Sequence, residues 1–400
     1  MAPQFHVTIK PAGAACNLAC TYCYYRGKDE PSDTPPGPMS PPLLERFIRQ
    51  YIAAQSGDTV VFTWQGGEPT LAGLEFFRHA LALQHEHAGG KRICNDLQTN
   101  GLLLDDAWCE FLRANDFLVG LSIDGPADVH DAHRRDRTGR PTHADVVAAA
   151  RRLEAHGVPY NALAVVHRGS PPQAAAVYDF LAHELSPRVI QFIPCVEPRT
   201  FATIAPHRWD DSALPAAGSA AGPGQVNSFV TDWSVEPLGW GRFLCGVFDA
   251  WRKDGDRVVV DWFEAALAAW RGAPSPMCMT SPICGRGLAV ERDGSVYSCD
   301  HYVYEEFRLG DLAQADLGQL AGSARQQGFG LAKQATLPAC CRACEFLFAC
   351  QGLCPRYRFV RVAGGLVRYL CPGMRMFFHH ASPTLKRLTR QGVRPKDPIG

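Results

Sequence analysis

Four hundred residues carrying 40 basic and 40 acidic side chains have no net pull toward nucleic acid or an anionic membrane. Hydrophobic residues at 46% describe a soluble globular protein with chain enough for a large core. The N-terminus lacks a basic, apolar leader, and no apolar run nears the roughly eighteen residues of a membrane span. The chain is therefore expected in the cytoplasm, where its sixteen cysteines stay reduced and read better as metal ligands than as disulfides.

The chain opens with a candidate strand at 5–9, followed by Cys16-x3-Cys20-x2-Cys23 in one short loop. Three thiols this close cannot staple distant elements. A closed zinc site or a fully ligated iron–sulfur cluster takes four thiolates, so three leave one iron open to a non-protein ligand. A structural zinc site completed by a remote His or Cys is the competing reading.

Helical patterns at 41–55, 73–87, 105–114, 142–156 and 171–184 alternate with strands at 59–64, 93–98, 117–122, 160–166 and 189–193. Ser40 and Pro41 predict the start of the first helix. Strand–helix alternation predicts parallel strands joined by right-handed crossovers, and six such units predict an α/β, barrel-like sheet. Ligands of such sheets bind at the C-terminal strand ends. There the sequence places the cysteine loop, Gln65-Gly66-Gly67-Glu68-Pro69, Gln98-Thr99-Asn100-Gly101, Ser122-Ile123-Asp124-Gly125-Pro126 and Pro194-Cys195-Val196.

The stretch 210–225, rich in Ala, Gly, Pro and Ser, predicts a flexible surface loop with no chemistry. Helices near 239–253 and 262–271 lead to a second cysteine array: Cys278, Cys284 and Cys299, then Cys341, Cys344, Cys350 and Cys354, and finally Cys371. Eight thiols suffice for two four-thiolate clusters, with two zinc knuckles as the alternative. Residues 288–299 predict a hairpin turning at Asp293-Gly294, bringing Cys284 and Cys299 together at its base. Cys94 and Cys109 sit in apolar contexts as small buried hydrophobes. Cys340 abuts Cys341 and is an alternative to it.

The three-cysteine loop resembles that of the radical S-adenosylmethionine (SAM) enzymes. In that family SAM chelates the open iron and is cleaved to a 5′-deoxyadenosyl radical. By the same resemblance Gly66, Gly67 and Glu68 belong to the motif that holds the methionine amino group. The later array resembles a SPASM domain with two auxiliary [4Fe–4S] clusters, making three in all. The resemblance implies Cys278, Cys284, Cys299 and Cys354 for one and Cys341, Cys344, Cys350 and Cys371 for the other; spacing alone leaves the pairing open. Four segments are expected: a partial (β/α)6 barrel over 1–235, a helical linker over 236–272, the SPASM domain with a β-hairpin and short helices over 273–375, and a C-terminal helix or tail over 376–400.

Long ungapped stretches, among them 65–77, 97–101, 117–126 and 294–300, together with His130, Asp131 and Arg134, resemble the anaerobic sulfatase-maturating enzymes. The resemblance implies an oxidoreductase that converts a Cys or Ser in an unfolded sulfatase, within a Cys/Ser-x-Pro-x-Arg motif, to Cα-formylglycine. It implies a monomer served by a donor such as flavodoxin or ferredoxin. Asp300, beside Cys299, is the expected base. Tyr25 and Gln65 are expected to position peptide, and Tyr22, Ser122, Arg134 and Val196 to contact SAM. For Asp300 the competing reading is a turn residue, for Ser122 a strand-end cap, for Arg134 a solvated charge. A SPASM enzyme crosslinking a ribosomal peptide is the runner-up, although only fifteen residues precede Cys16. A zinc scaffold is a third reading, which the brown colour of an iron–sulfur protein would exclude.

Overall fold

The computed structural model describes residues 5–25, 28, 37–201, 203–209, 214–218, 222–255 and 257–395. Six strands, β1 (His6–Ile9), β2 (Thr59–Trp64), β3 (Arg92–Thr99), β4 (Leu118–Ser122), β5 (Tyr160–Val166) and β6 (Val189–Pro194), lie side by side in chain order. Every neighbouring pair is parallel. The crossover helices follow from period and punctuation. In Pro41–Ala54 the buried residues Leu44, Phe47, Ile48, Tyr51 and Ile52 form one stripe against the sheet. Ser40 takes the extended N-cap backbone but makes no side-chain capping bond, so the proline start alone defines that end.

The sheet does not stop at six strands. The two-residue β7 (Val259–Val260) pairs with β6, while β1 pairs in parallel with β8 (Gly287–Val290), aligning His6 with Gly287 and Ile9 with Val290. Strands β9 (Ser295–Tyr297) and β10 (Arg308–Asp311) continue antiparallel, giving ten strands in the order β10-β9-β8-β1-β2-β3-β4-β5-β6-β7. The hairpin turns at Gly294, whose φ of +93° suits a residue without a Cβ. The sheet thus runs across residue 273, and the second cysteine array is built onto the edge of the barrel. A separate hairpin, β11 (Arg358–Val362) with β12 (Gly365–Arg368), lies among the last cysteines.

Two local expectations are corrected. The segment 171–184 is not one regular helix: Pro171 and Pro172 lack N–H donors and open it as a 3₁₀ turn. It closes as a wide i→i+5 turn over Phe180–Glu184 that buries Phe180, Leu181 and Ala182 in succession. Nor is the 210–225 stretch a free loop throughout. Leu214 is buried, Arg361 N–H donates to the Pro215 carbonyl at 2.8 Å, and Ala217 N–H to Arg361 at 3.0 Å. Residues 210–213 and 219–221 lie outside the described residues.

The last helix, Cys371–Arg390, crosses Pro237–Lys253 at two glycines. A Cβ on Gly241 would sit 2.6 Å from the Gly373 carbonyl oxygen, so backbone meets backbone there, two residues after Cys371. No helix among the described residues is long and apolar enough to cross a membrane.

Candidate active site

After β1 the chain turns through Lys10-Pro11 into the cysteine loop, which is docked on both sides. Gly67 N–H donates to Gly13 O at 2.9 Å and Glu68 N–H to Ala15 O at 2.8 Å; Ala19 N–H and Thr21 N–H donate to Arg135 O and His133 O at 2.8 and 3.1 Å. Glycine is required at 67 because a Cβ would collide with the Ala14–Ala15 backbone. Cys16, Cys20 and Cys23 thereby border one cavity of about 160 Å³ together with Tyr22, Tyr25, Gln65, Gly66, Gly67, Ser122 and Arg134.

Burial pushes the Cys20 thiol up to about 12, against the pull of Arg134 and with Cys23 and Cys16 adding to the rise. Such thiols ionise when a cation takes them. The three sulfurs and the glycine cradle fit a cluster with one open corner. Among the described residues no three His, Cys, Asp or Glu side chains close to the distances of one shared ion. A cube of iron and sulfide seats its thiolates at separate corners, further apart than ligands of one ion.

Arg134 is not a solvated charge. It is 8% exposed, its Nε donates to Asp124 Oδ1 at 3.1 Å, and Asp124 also accepts from Val165 N–H at 3.0 Å and from the Tyr22 hydroxyl. Burial would raise the Asp124 carboxyl, but Arg134, His130 and these hydrogen bonds outweigh it and hold its pKa below the usual value. Asp124 and Arg134 thus form a fixed ion pair, into which the neutral Tyr22 hydroxyl donates.

Two expected SAM contacts stand away from the cavity. Glu68 is fully buried, and its carboxylate accepts from Thr70 N–H (3.0 Å), Thr70 Oγ1 (2.7 Å), Thr99 Oγ1 (2.7 Å) and Asn100 N–H (2.8 Å). That side chain braces the β2 and β3 ends; with four donors spent on it, it does not reach into the cavity. The Val196 side chain packs in the hydrophobic core.

Against the end of the cysteine loop, Asp300 begins the turn after Cys299. Its side chain, 18% exposed, pairs with Lys10 and accepts a hydrogen bond from the Tyr24 hydroxyl. Burial would raise the carboxyl, but Lys10, His301 and the two hydrogen bonds together pull its pKa below the usual carboxylate value, so it stands ionised. Asp300 does not border the cavity itself; Tyr24 and His301 do. Lys10 is wholly buried, 4.6 Å from the Tyr25 ring centroid, and Tyr25 donates to Glu291. The sequence reading passed over Lys10, Tyr24 and Glu291, because nothing local ties β1 to a turn nearly three hundred residues later. It also missed Glu197 and Arg356, a buried ion pair on the cavity wall. Burial raises the Glu197 carboxyl to about 7, against the pull of Arg356 and Lys28.

The eight later cysteines gather in two sets. Burial pushes the Cys284 thiol up to about 12, Cys354 and Cys278 adding to it and Lys333 opposing. The Cys299 thiol is raised likewise by burial, Cys354 and Cys278. In the second set burial lifts Cys341 to about 12 with help from Cys340, Cys371 and Cys350, while Cys371 feels Cys350 and Cys344. Cations are buried beside both: Lys333 Nζ donates to Cys278 O and Met279 O at 2.9 Å each, and Arg368 Nη1 to Cys350 Sγ at 3.5 Å. Arg368 is 4% exposed with Nε and Nη2 unpartnered, which suits an anionic group held among these thiolates.

Family comparison matches residues 11–181 to the radical SAM superfamily and residues 282–345 to the SPASM iron–sulfur cluster-binding domain. The chain is 39% identical over 401 residues to a serine-type anaerobic sulfatase-maturating enzyme of Bacteroides thetaiotaomicron, covering 99% of this chain and 94% of that one. It is 33% identical over 389 residues to a cysteine-type anaerobic sulfatase-maturating enzyme of Clostridium perfringens, covering 96% and 98%. Among solved structures, native anSMEcpe with bound AdoMet and Cp18Cys peptide superposes with a TM-score of 0.82 at 32% identity, covering 97% and 99%.

Proposed function

We propose, from the premise that this chain belongs to the anaerobic sulfatase-maturating enzymes, that it oxidises a Cys or Ser of a sulfatase peptide at Cβ to Cα-formylglycine. The observation that carries this reading is one cavity bordered by Cys16, Cys20 and Cys23 and also by Tyr24 and His301, with ionised Asp300 behind Tyr24. Held at Cys16, Cys20 and Cys23, a cluster with SAM would supply hydrogen-atom abstraction at Cβ, and clusters on the two sets of four thiols would supply an acceptor for the remaining electron.

This chain's own side chains do the rest. Cys16, Cys20 and Cys23 hold the first cluster; the two sets of four hold the auxiliary ones. Tyr22, Gly66, Gly67, Ser122 and Arg134 line the place of SAM, with Arg134 locked in orientation by Asp124. Tyr25 and Gln65 position the peptide. Asp300 takes the thiol or hydroxyl proton, kept ionised by Lys10 until then. Serine gives the aldehyde directly, whereas the thioaldehyde from cysteine is hydrolysed by water to the aldehyde and hydrogen sulfide. A flavodoxin or ferredoxin serves as donor.

The test uses the reconstituted protein with SAM, dithionite and two peptides, one with a Cys-x-Pro-x-Arg and one with a Ser-x-Pro-x-Arg motif. At least one should gain an aldehyde that reacts with a hydrazine probe. A peptide that instead gains a thioether crosslink would favour the runner-up.

A further inference from the structure

Glu197 follows β6, and Arg356 sits in the 3₁₀ turn Pro355–Tyr357 just after Cys354, so their ion pair joins barrel to cysteine array across the cavity wall. Both are nearly inaccessible, at 5% and 2%. The Glu197 backbone is pinned: its N–H donates to Ser234 Oγ at 3.0 Å, and its carbonyl accepts from Thr231 N–H at 2.8 Å. Its carboxylate takes Nη2 of Arg356, while the guanidinium carbon lies 5.1 Å from the Tyr24 ring centroid. Tyr24 in turn donates to Asp300.

This guanidinium is aimed and underused. An arginine has five N–H donors, and among the described residues Glu197 is the one hydrogen-bond acceptor Arg356 has. Of the neighbouring cations, Arg134 is committed to Asp124 and Lys10 to Asp300, while Lys28, which does not border the cavity, lies over the Tyr304 ring. A peptide entering so closed a space loses water from its carbonyl oxygens, and each must find a donor or cost free energy.

We propose that Arg356, oriented by Glu197 and Tyr24, is a substrate-positioning residue that donates to main-chain carbonyl oxygens of the peptide beside the target residue. This rests on the cavity being the peptide-oxidising site. Because Arg356 lies on Tyr24 and Tyr24 on Asp300, a peptide held there has its target beside the residue hydrogen-bonded to the base.

The experiment uses the reconstituted protein with SAM and a fluorescein-labelled Cys-x-Pro-x-Arg peptide, comparing the wild type with Arg356→Lys and Glu197→Gln. Lysine keeps the charge and loses the fork. Peptide Kd by anisotropy and KM should rise roughly ten- to hundredfold in Arg356→Lys, the worth of hydrogen bonds to a charged donor. Glu197→Gln should shift both the same way by less. Both variants should make more 5′-deoxyadenosine per oxidised peptide, since a loosely held target is missed, with iron content and SAM affinity unchanged. Unchanged peptide affinity and coupling in both variants overturns the proposal, as does a loss confined to iron content and melting temperature, which marks a structural clamp. If the wild type binds the peptide but leaves it unoxidised, the maturation reading fails while the anisotropy comparison still decides the role of Arg356.

Discussion

Asp300→Asn should leave SAM cleavage running while formylglycine falls by about 100- to 10,000-fold, the usual span for losing a general base. Asparagine keeps the shape and can still meet Lys10 and Tyr24, but it cannot take a proton. The substitution touches Lys10 and Tyr24, and no hydrogen bond or ion pair links Asp300 to Tyr22, Arg134 or Ser122 among the described residues. It does remove the anion paired with buried Lys10, and breaking a buried pair costs on the order of 3–5 kcal/mol. Glu291, whose carboxyl feels the Lys10 charge, remains beside it. A melting curve run alongside separates lost stability from lost chemistry. Product at the wild-type rate would remove Asp300 from the reaction; loss of SAM cleavage would make it a support for cofactor or cluster.

Replacing Cys16, Cys20 and Cys23 together by Ala should abolish SAM cleavage and take the iron from about twelve to about eight atoms per chain. Eleven thiols in groups of three, four and four are the warrant. The loop has independent anchors, Gly67 and Glu68 on one flank and the 133–135 carbonyls on the other, so it keeps its place without metal. The remaining eight cysteines lie in other parts of the fold, Cys278 to Cys371, with their own buried cations. Unchanged iron in the triple variant would sink the assignment of the first cluster.

What could be read from sequence was local. The β-branched runs placed β2 and β5 at their observed ends, and Asp293-Gly294 announced its hairpin, because φ at Gly294 is a demand on one residue. The motifs named most of the residues that border the cavity, since strand ends in a parallel sheet converge by construction. What stayed hidden depends on partners far apart in the chain. Strand β8 pairing with β1 has no local signature, and it is that pairing which brings Asp300 to Lys10. Glu68 looked like a ligand-binding carboxylate because its motif was legible while Thr70, Thr99 and Asn100 as its donors were not. Glu197 and Arg356 carry no motif at all, and only the fold makes them a pair.

The central claim is that the cavity oxidises a peptide at Cβ of its target residue, and the place a hydrogen goes tests it most directly. With a peptide deuterated at Cβ of the motif Cys or Ser, the account predicts deuterium in 5′-deoxyadenosine and an aldehyde on the same residue, in equal amounts. Aldehyde formed without deuterium in 5′-deoxyadenosine, or deuterium transferred with no aldehyde at that residue, would contradict it.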